Sequence, residues 1–172
     1  MMRVYAWRYI TPRGFSDIEM RSDGEFLTEL FFVGSRNLPR SDASCMEHTP
    51  RVFRNVCRWL DVYFAGRQPD FTPSYAMEGL TPFRREVVDE MLKIPFGETV
   101  TYGDIASTMA KRRGIAKMSA QAVGGAVGWN PICIIVPCHR VVGAGGALTG
   151  YGGGMKNKVA LLALEGREMR RF

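Results

Sequence analysis

Asn130-Pro131-Ile132-Cys133-Ile134-Ile135-Val136-Pro137-Cys138-His139-Arg140-Val141-Val142 is the stretch on which the reading of this chain turns. The apolar run 132–136 predicts a short buried strand, and Pro137 ends it. Just beyond stand a thiol and an imidazole. A thiol attacks as its thiolate, which needs a base or a positive environment nearby. His139 is adjacent and Arg140 adds charge. Neighbours on a regular strand point to opposite faces, so the pair can cooperate only if Pro137 breaks the strand or a water links them. A third group should orient the imidazole, and Glu165, ending the closing helix, is the candidate. Cys45, Cys57 and Cys133 read as buried small hydrophobes. Cys45 and His48 have a spacing found at metal sites, but only Cys57 follows and a fourth ligand is lacking. No Cys-x-x-Cys accompanies Cys138, so no metal site is expected.

Working outward, residues 143–154 hold seven glycines. They read either as a flexible loop or as backbone that must come close to a ligand. A closing helix over 156–165 offers Val159, Leu161, Leu162 and Leu164 to the core. Upstream, Ser119 caps a helix over 120–127 made of small residues. Its two adjacent glycines cost roughly 2 kcal/mol relative to Ala. Tight packing on the protein's own core, or close approach to a nucleic-acid groove, would offset that cost. Thr101 caps the preceding helix with Asp104 at the capping-box position, and 111–114 follows as a basic turn. The pair resembles a helix-turn-helix with a longer connection than the tight form. Thr81-Pro82 starts a helix with Phe83, Val87, Met91 and Leu92 on its apolar face. The proline-containing stretch 67–82 is the best domain boundary. Thr49-Pro50 starts an earlier helix whose buried face is Val52, Phe53, Val56, Trp59, Leu60 and Tyr63, ended by Gly66. Residues 4–7 and 29–33 read as strands of a small antiparallel sheet.

The 172 residues are 46% hydrophobic and 23% charged, which excludes a disordered chain, a collagen and a coiled coil. The net charge of +6 is uneven: residues 1–77 carry +1 and residues 78–172 carry +5. A basic half beside a near-neutral one fits a polyanion partner, or simply a basic surface. The N-terminus lacks a secretory core and cleavage site. No apolar run approaches the ~18 residues of a membrane span. The expected location is the cytoplasm, where cysteines stay free.

The sequence from 130 to 142 resembles the active-site signature of the O6-alkylguanine-DNA alkyltransferases, also called methylated-DNA–protein-cysteine methyltransferases. The likeness extends through Gly97-Glu98-Thr99-Val100-Thr101-Tyr102, Ala122-Val123-Gly124-Gly125-Ala126, Leu148-Thr149-Gly150-Tyr151 and Leu161-Leu162-Ala163-Leu164-Glu165-Gly166, in the family's order and spacing. It is strong from about residue 80 to 167 and weak before 77. It implies an α/β N-terminal domain, ribonuclease-H-like, over 1–77. It also implies a helical C-terminal domain with a winged helix-turn-helix over 78–172. The implied reaction moves the alkyl group from O6 of guanine in duplex DNA onto a cysteine, and leaves O4-alkylthymine open as a second substrate. The protein is consumed and needs no cofactor.

Carried onto this chain, the resemblance makes Cys138 the alkyl acceptor, His139 its water-linked base and Glu165 the carboxylate that orients the imidazole. Asn130 becomes the hinge that supports the cysteine loop. Tyr102 becomes the donor to guanine N3 that helps rotate the phosphate. Tyr151 and the Gly152 backbone become donors near O6, and the carbonyls of Cys138 and Val141 accept from the guanine amine. Gln121, Ala122, Gly124, Gly125 and Arg140 complete the expected DNA and substrate contacts. Donors aimed at the charge developing on the leaving base are the largest catalytic lever, and the base must leave the stack. A helix of small residues suits a minor groove about 6 Å wide. Gln121 departs from the pattern, since many relatives carry an arginine there that fills the gap left by the flipped nucleotide. Trp129 is bulkier than expected and packs either on the core or on DNA.

Other classes fit less. A lesion sensor of this family would lack the cysteine. A helix-turn-helix regulator does not explain residues 137–142, and a cysteine hydrolase does not explain the basic small-residue helix. The expected partner is double-stranded DNA containing alkylated guanine, with no membrane and a monomeric chain.

Overall fold

The computed structural model describes residues 4–36 and 50–167. Thr49, Cys45 and His48 lie outside them, and with them the predicted helix cap and the metal spacing. Strands β1 (Tyr5–Tyr9), β2 (Ile18–Ser22) and β3 (Leu27–Phe32) form an antiparallel sheet in that order. β1 and β3 match the two predicted strands with shifted ends. β2 has no simple alternation to betray it, because Arg21 and Ser22 are buried along with Ile18 and Met20. Arg21 is kept inside by Glu19 at 3.1 Å and Glu29 at 3.5 Å. The register sets Ile18 opposite Phe32 and Met20 opposite Leu30, so four apolar side chains share one face. Helix α1 (Arg51–Phe64) lies beside β2, and all six side chains of its predicted face are buried.

The stretch after Gly66 is less loose than its prolines imply. Leu27 N–H donates to the Ser74 carbonyl at 3.0 Å, and Ala76 N–H donates to the Leu27 carbonyl at 2.9 Å. These bonds fasten the connection to the start of β3. Helix α2 (Pro82–Leu92) follows, with Thr81 as its cap. Its buried residues are Val87, Val88 and Met91, whereas Leu92 is 45% exposed and leaves the predicted face. The 3.6-residue period places Val88, not Leu92, beside Met91 toward the core.

A two-residue strand, β4 (Val100–Thr101), leads into helix α3 (Tyr102–Arg113), whose capping box of Thr101 and Asp104 is complete. Lys111, Arg112 and Arg113 form the last turn of α3, and Gly114 ends the helix at φ 64°. The expected basic turn is therefore helical. It is also engaged: Arg112 pairs with Glu90 and Arg113 with Glu86, both on α2. Helix α4 (Ala120–Trp129) starts at the predicted Ser119 cap and runs two residues further than expected. Trp129 is half-buried beneath the Arg84 guanidinium, 4.4 Å from the ring centroid. It thus stacks on a cation of α2, an arrangement worth about 0.5–1 kcal/mol at a partly exposed site.

The run 132–136 is not a strand. Ile132 bridges to Leu30, the chain turns at Ile134-Ile135, and Val136 returns beside Cys133. Ile134 stands at φ 69°, a backbone region costly to a β-branched residue. The buried amide of Asn130 holds the turn. It donates to the carbonyls of Val136 at 2.9 Å and Ile132 at 3.4 Å, and accepts from Ile132 N–H at 3.0 Å. A 3-10 turn (Cys138–Arg140) and strand β5 (Val141–Val142), parallel to β4, come next. Helix α5 (Met155–Leu164) closes the core with Leu161 and Leu162 fully buried, while Val159 and Leu164 are half-buried. The architecture is an α/β N-terminal part and a helical C-terminal part. Leu30 N–H donates to the Pro131 carbonyl at 2.8 Å and Cys133 N–H to the Leu30 carbonyl at 3.1 Å, which docks the cysteine segment onto β3. Among the described residues no helix is long and apolar enough to cross a membrane.

Candidate active site

Pro137 does break the chain direction, and the 3-10 turn turns Cys138, His139 and Arg140 inward; all three are buried. His139 Nε2 lies 2.7 Å from Glu165 Oε1. A carboxylate only accepts, so Nε2 carries the proton and Nδ1 keeps its lone pair. Nδ1 is buried and makes no hydrogen bond to protein. Burial holds the imidazole below its usual pKa against the pull of Glu165, which keeps it neutral and basic at Nδ1. Glu165 and His139, paired in the sequence reading, are thus within hydrogen-bond distance of each other.

Glu165 is the hub of a larger cluster. Arg140 donates from Nε to Oε2 at 2.9 Å and from a terminal nitrogen to Oε1 at 3.0 Å, and it also donates to the Ile94 carbonyl at 2.7 Å. Tyr63 hydroxyl donates to Oε1 at 2.7 Å, and Gly97 N–H donates to Oε2 at 3.0 Å. Gly97 stands at φ 78°, and a side chain there would meet the Glu165 carbonyl at 2.9 Å. Only glycine permits that approach. Burial alone would raise the Glu165 carboxyl, but the bonds from His139, Arg140 and Tyr63 outweigh it and hold it at about 2. Arg140, expected to face substrate or DNA, lies instead in the interior and is committed to Glu165. A guanidinium matches a carboxylate in two parallel bonds, and that pairing is what draws it inside.

Cys138 lines a cavity of about 220 Å³ together with Tyr102, Gly124, Asn130, Cys133, Tyr151 and Gly152. The neighbouring Cys133 thiol, with Asn130, Tyr151 and the charge of Lys158, outweighs burial and lowers the Cys138 thiol to about 7. Cys133 was expected to be an inert buried hydrophobe; it is buried, but it lines the same cavity as the candidate nucleophile. Tyr151 has its hydroxyl buried without a hydrogen bond to protein oxygen or nitrogen, and burial pushes its pKa up, with the neighbouring thiols adding to the effect. It remains a proton donor. Gly153, next to it, would bring a Cβ within 2.6 Å of the Tyr151 ring and 2.9 Å of Phe32. Close approach, not loop flexibility, explains that glycine.

Lys158 carried no functional expectation. Its side chain is fully buried in α5, and its ammonium donates to the carbonyls of Val141 at 2.7 Å and Thr149 at 3.3 Å. Burial lowers it to about 8, partly offset by Cys138. The Val141 carbonyl, expected to face guanine, therefore already accepts one bond from Lys158. Sequence gave no sign of this, because lysine is among the residues least often fully buried. Tyr63 had a legible sign: a tyrosine on a buried helix face must find a partner for its hydroxyl.

Outside the cavity, Thr101, Tyr102, Gln121, Gly124, Gly125, Ala144 and Thr149 border a shallow depression of about 750 Å³. Gln121, Ala122 and Gly125 are exposed on α4. Tyr102 and Gly124 border both the depression and the cavity. The depression beside α4 thus adjoins the cavity that Cys138 lines.

Residues 82–167 match the model of the 6-O-methylguanine DNA methyltransferase, DNA binding domain. The chain is 48% identical over 118 residues to a methylated-DNA–protein-cysteine methyltransferase of Mycolicibacterium paratuberculosis, covering 69% of this chain and 68% of that one. It is 47% identical over 149 residues to the protein of that name from Methanosarcina acetivorans, covering 87% and 91%. The fold is similar to the crystal structure of Mycobacterium tuberculosis OGT in complex with DNA, with TM-score 0.76, 37% identity and coverage of 94% and 92%. It is also similar to an O6-methylguanine DNA methyltransferase from Methanococcus jannaschii, with TM-score 0.63, 29% identity and coverage of 96% of each chain.

Proposed function

Because the chain belongs to the methylated-DNA–protein-cysteine methyltransferase family, we propose that it is a single-use DNA-repair protein that takes the alkyl group from O6-alkylguanine onto Cys138. The observation that carries this reading is the cavity itself. It opens beside an exposed helix of small residues and ends at a thiol with pKa about 7, next to a neutral His139 fixed by Glu165.

In this reading α3 and α4 act as a winged helix-turn-helix on the minor groove, and the N-terminal part, ribonuclease-H-like over 1–77, buttresses the cysteine segment of the 78–172 domain. The alkylated nucleotide rotates out of the stack into the cavity, with Tyr102 at the phosphate and N3. Ala122, Gly124 and Gly125 let the backbone of α4 approach the DNA. Asn130 keeps the cysteine turn in place. His139 Nδ1 receives the Cys138 proton through a bridging water. The sulfur then attacks the alkyl carbon: the S–C bond forms, the C–O6 bond breaks, and its electron pair stays on guanine. Tyr102, Tyr151 and the Gly152 N–H donate to the anion, and the carbonyls of Cys138 and Val141 accept from its amine. Arg140 acts from inside, by neutralising Glu165. No cofactor is required, and the chain works as a cytoplasmic monomer.

Two expectations follow from the site. The single-turnover transfer rate should fall about tenfold per pH unit below the Cys138 pKa of about 7 and level off above it, because only the thiolate attacks. A rate measured across that range and found flat would contradict the assignment of Cys138 as the titrating nucleophile. Gln121 reaches the orphaned base with a neutral, shorter side chain than arginine. Gln121→Arg should therefore speed transfer from duplex DNA several-fold and leave transfer from free O6-benzylguanine unchanged; equal effects on both would remove Gln121 from the flipping step.

The function is tested on the DNA. A duplex containing O6-methylguanine is incubated with limiting protein and digested to nucleosides. Guanine should be restored up to one lesion per protein molecule and no further. Binding without restoration would make the chain a lesion sensor, and restoration beyond one equivalent would make it a turnover enzyme.

A further inference from the structure

Cys133 has no part in the transfer steps above, yet it shares the cavity wall with Cys138. The turn at Ile134-Ile135 brings the two together. Asn130 pins the turn, Val136 pairs back against Cys133, and Cys138 N–H donates to the Val136 carbonyl at 2.8 Å. Two thiols five residues apart therefore line one pocket. Both are free.

We propose that Cys133 is a resolving cysteine: when peroxide oxidises Cys138, Cys133 captures it as a Cys133–Cys138 disulfide, which stores the single-use acceptor in a recoverable form. In the first step the Cys138 thiolate attacks one peroxide oxygen. The S–O bond forms, the O–O bond breaks, and the departing hydroxide takes a proton to become water. Cys138 is now a sulfenic acid. In the second step the Cys133 sulfur attacks the Cys138 sulfur. The S–S bond forms, the S–O bond breaks, and the leaving hydroxide takes the Cys133 proton as a second water. Two thiols and one peroxide give one disulfide and two waters.

The surroundings favour both steps. Cys138 is substantially thiolate at neutral pH, and thiolate character governs attack on peroxide. Without a second thiol in reach, a sulfenic acid in this pocket proceeds to sulfinic acid, which is irreversible for most proteins. For a protein used once, that loss removes a repair event. A disulfide returns to the thiol pair with a reductant. The closed state cannot accept an alkyl group, so repair by this chain becomes dependent on the thiol poise of its surroundings.

The test uses the full chain without DNA, so it stands or falls separately from the transfer reading. Protein is exposed to about one equivalent of hydrogen peroxide, blocked with iodoacetamide and digested with trypsin. Residues 118–140 form one tryptic peptide, which holds Cys133 and Cys138 and no other cysteine. The expected result is loss of two hydrogens from that peptide, with no carbamidomethyl added until reduction. In Cys133→Ser and Cys133→Ala, both checked for native near-ultraviolet dichroism, the peptide should instead gain oxygen atoms. After excess peroxide, iodoacetamide labelling at Cys138 should return on reduction in the parent chain and not in the variants. Oxygen gain in the parent chain, a disulfide to Cys57 or Cys45 instead, or equal recovery with and without Cys133 would each overturn the proposal.

Discussion

Cys138→Ala is expected to abolish methyl transfer completely while leaving affinity for duplex DNA within a few-fold of the parent chain. The thiol is the atom on which the product forms, so no residual rate is available from the remaining cluster. Gln121, Ala122 and Gly125, the residues proposed to meet DNA, are exposed on α4 while the thiol is buried, and they should bind as before. The truncation removes one sulfur from the end of an existing cavity, so the fold should tolerate it. Full transfer activity in this variant would end the assignment of Cys138. Partial activity with the methyl on Cys133 would instead show that the second thiol in the pocket can substitute for the first. Gel-shift titration and single-turnover transfer on the same duplex separate these outcomes.

Glu165→Gln is expected to give the largest stability loss of any conservative change in the chain. Glu165 accepts from His139, Arg140, Tyr63 and the Gly97 backbone. Glutamine keeps the size but leaves the buried Arg140 guanidinium without its counter-charge. Removing one partner of a buried ion pair costs about 3–5 kcal/mol. For a chain of this length that lowers Tm by on the order of 10 °C. Differential scanning calorimetry at neutral pH measures it directly, and a Tm within a degree or two of the parent chain would show that the cluster contributes little. The same cluster sets an acid limit. A carboxyl held at about 2 in the folded chain and near 4.3 in the unfolded one binds its proton more weakly when folded. Its contribution is complete above the unfolded pKa and is lost as pH falls toward the folded one. The buried neutral His139 works in the same direction at higher pH, since the unfolded imidazole takes up a proton more readily. The parent chain should therefore lose stability progressively on acidification, and Glu165→Gln should show a shallower loss below about pH 4.3.

Much of the helical part is legible from local signals. The six-residue buried face of α1, the Thr81 and Ser119 caps, and the Thr101–Asp104 box all rest on contacts within a few residues. What escapes local reading is held from a distance. Residues 132–136 have the composition of a strand, and only the Asn130 amide and the bridge to Leu30 reveal a turn with Ile134 at positive φ. β2 is masked because Arg21 reads as surface until Glu19 and Glu29 are seen beside it.

Charge misleads in the same way. Arg112, Arg113, Arg140 and Lys158 all count toward the basic excess of residues 78–172. Yet two pair with α2, one is locked to Glu165 and one is buried against backbone carbonyls. The excess overstates the positive surface free to meet phosphate. Within the site, the order Cys138, His139, Glu165 was readable because each is a chemically distinctive residue at the end of a predicted element. Gly97, Cys133 and Lys158 were not, because each has an ordinary structural explanation by itself, as a turn, a buried small hydrophobe and a helix-surface charge.

The central claim is that one alkyl group ends on one sulfur. It is tested most directly by intact-protein mass spectrometry after incubation with excess O6-methylguanine duplex, followed by peptide mapping. The account predicts a gain of a single methyl group in every active molecule, located on Cys138 within the 118–140 peptide. An unmodified mass with the DNA bound, or a methyl group mapped to Cys57, would contradict it.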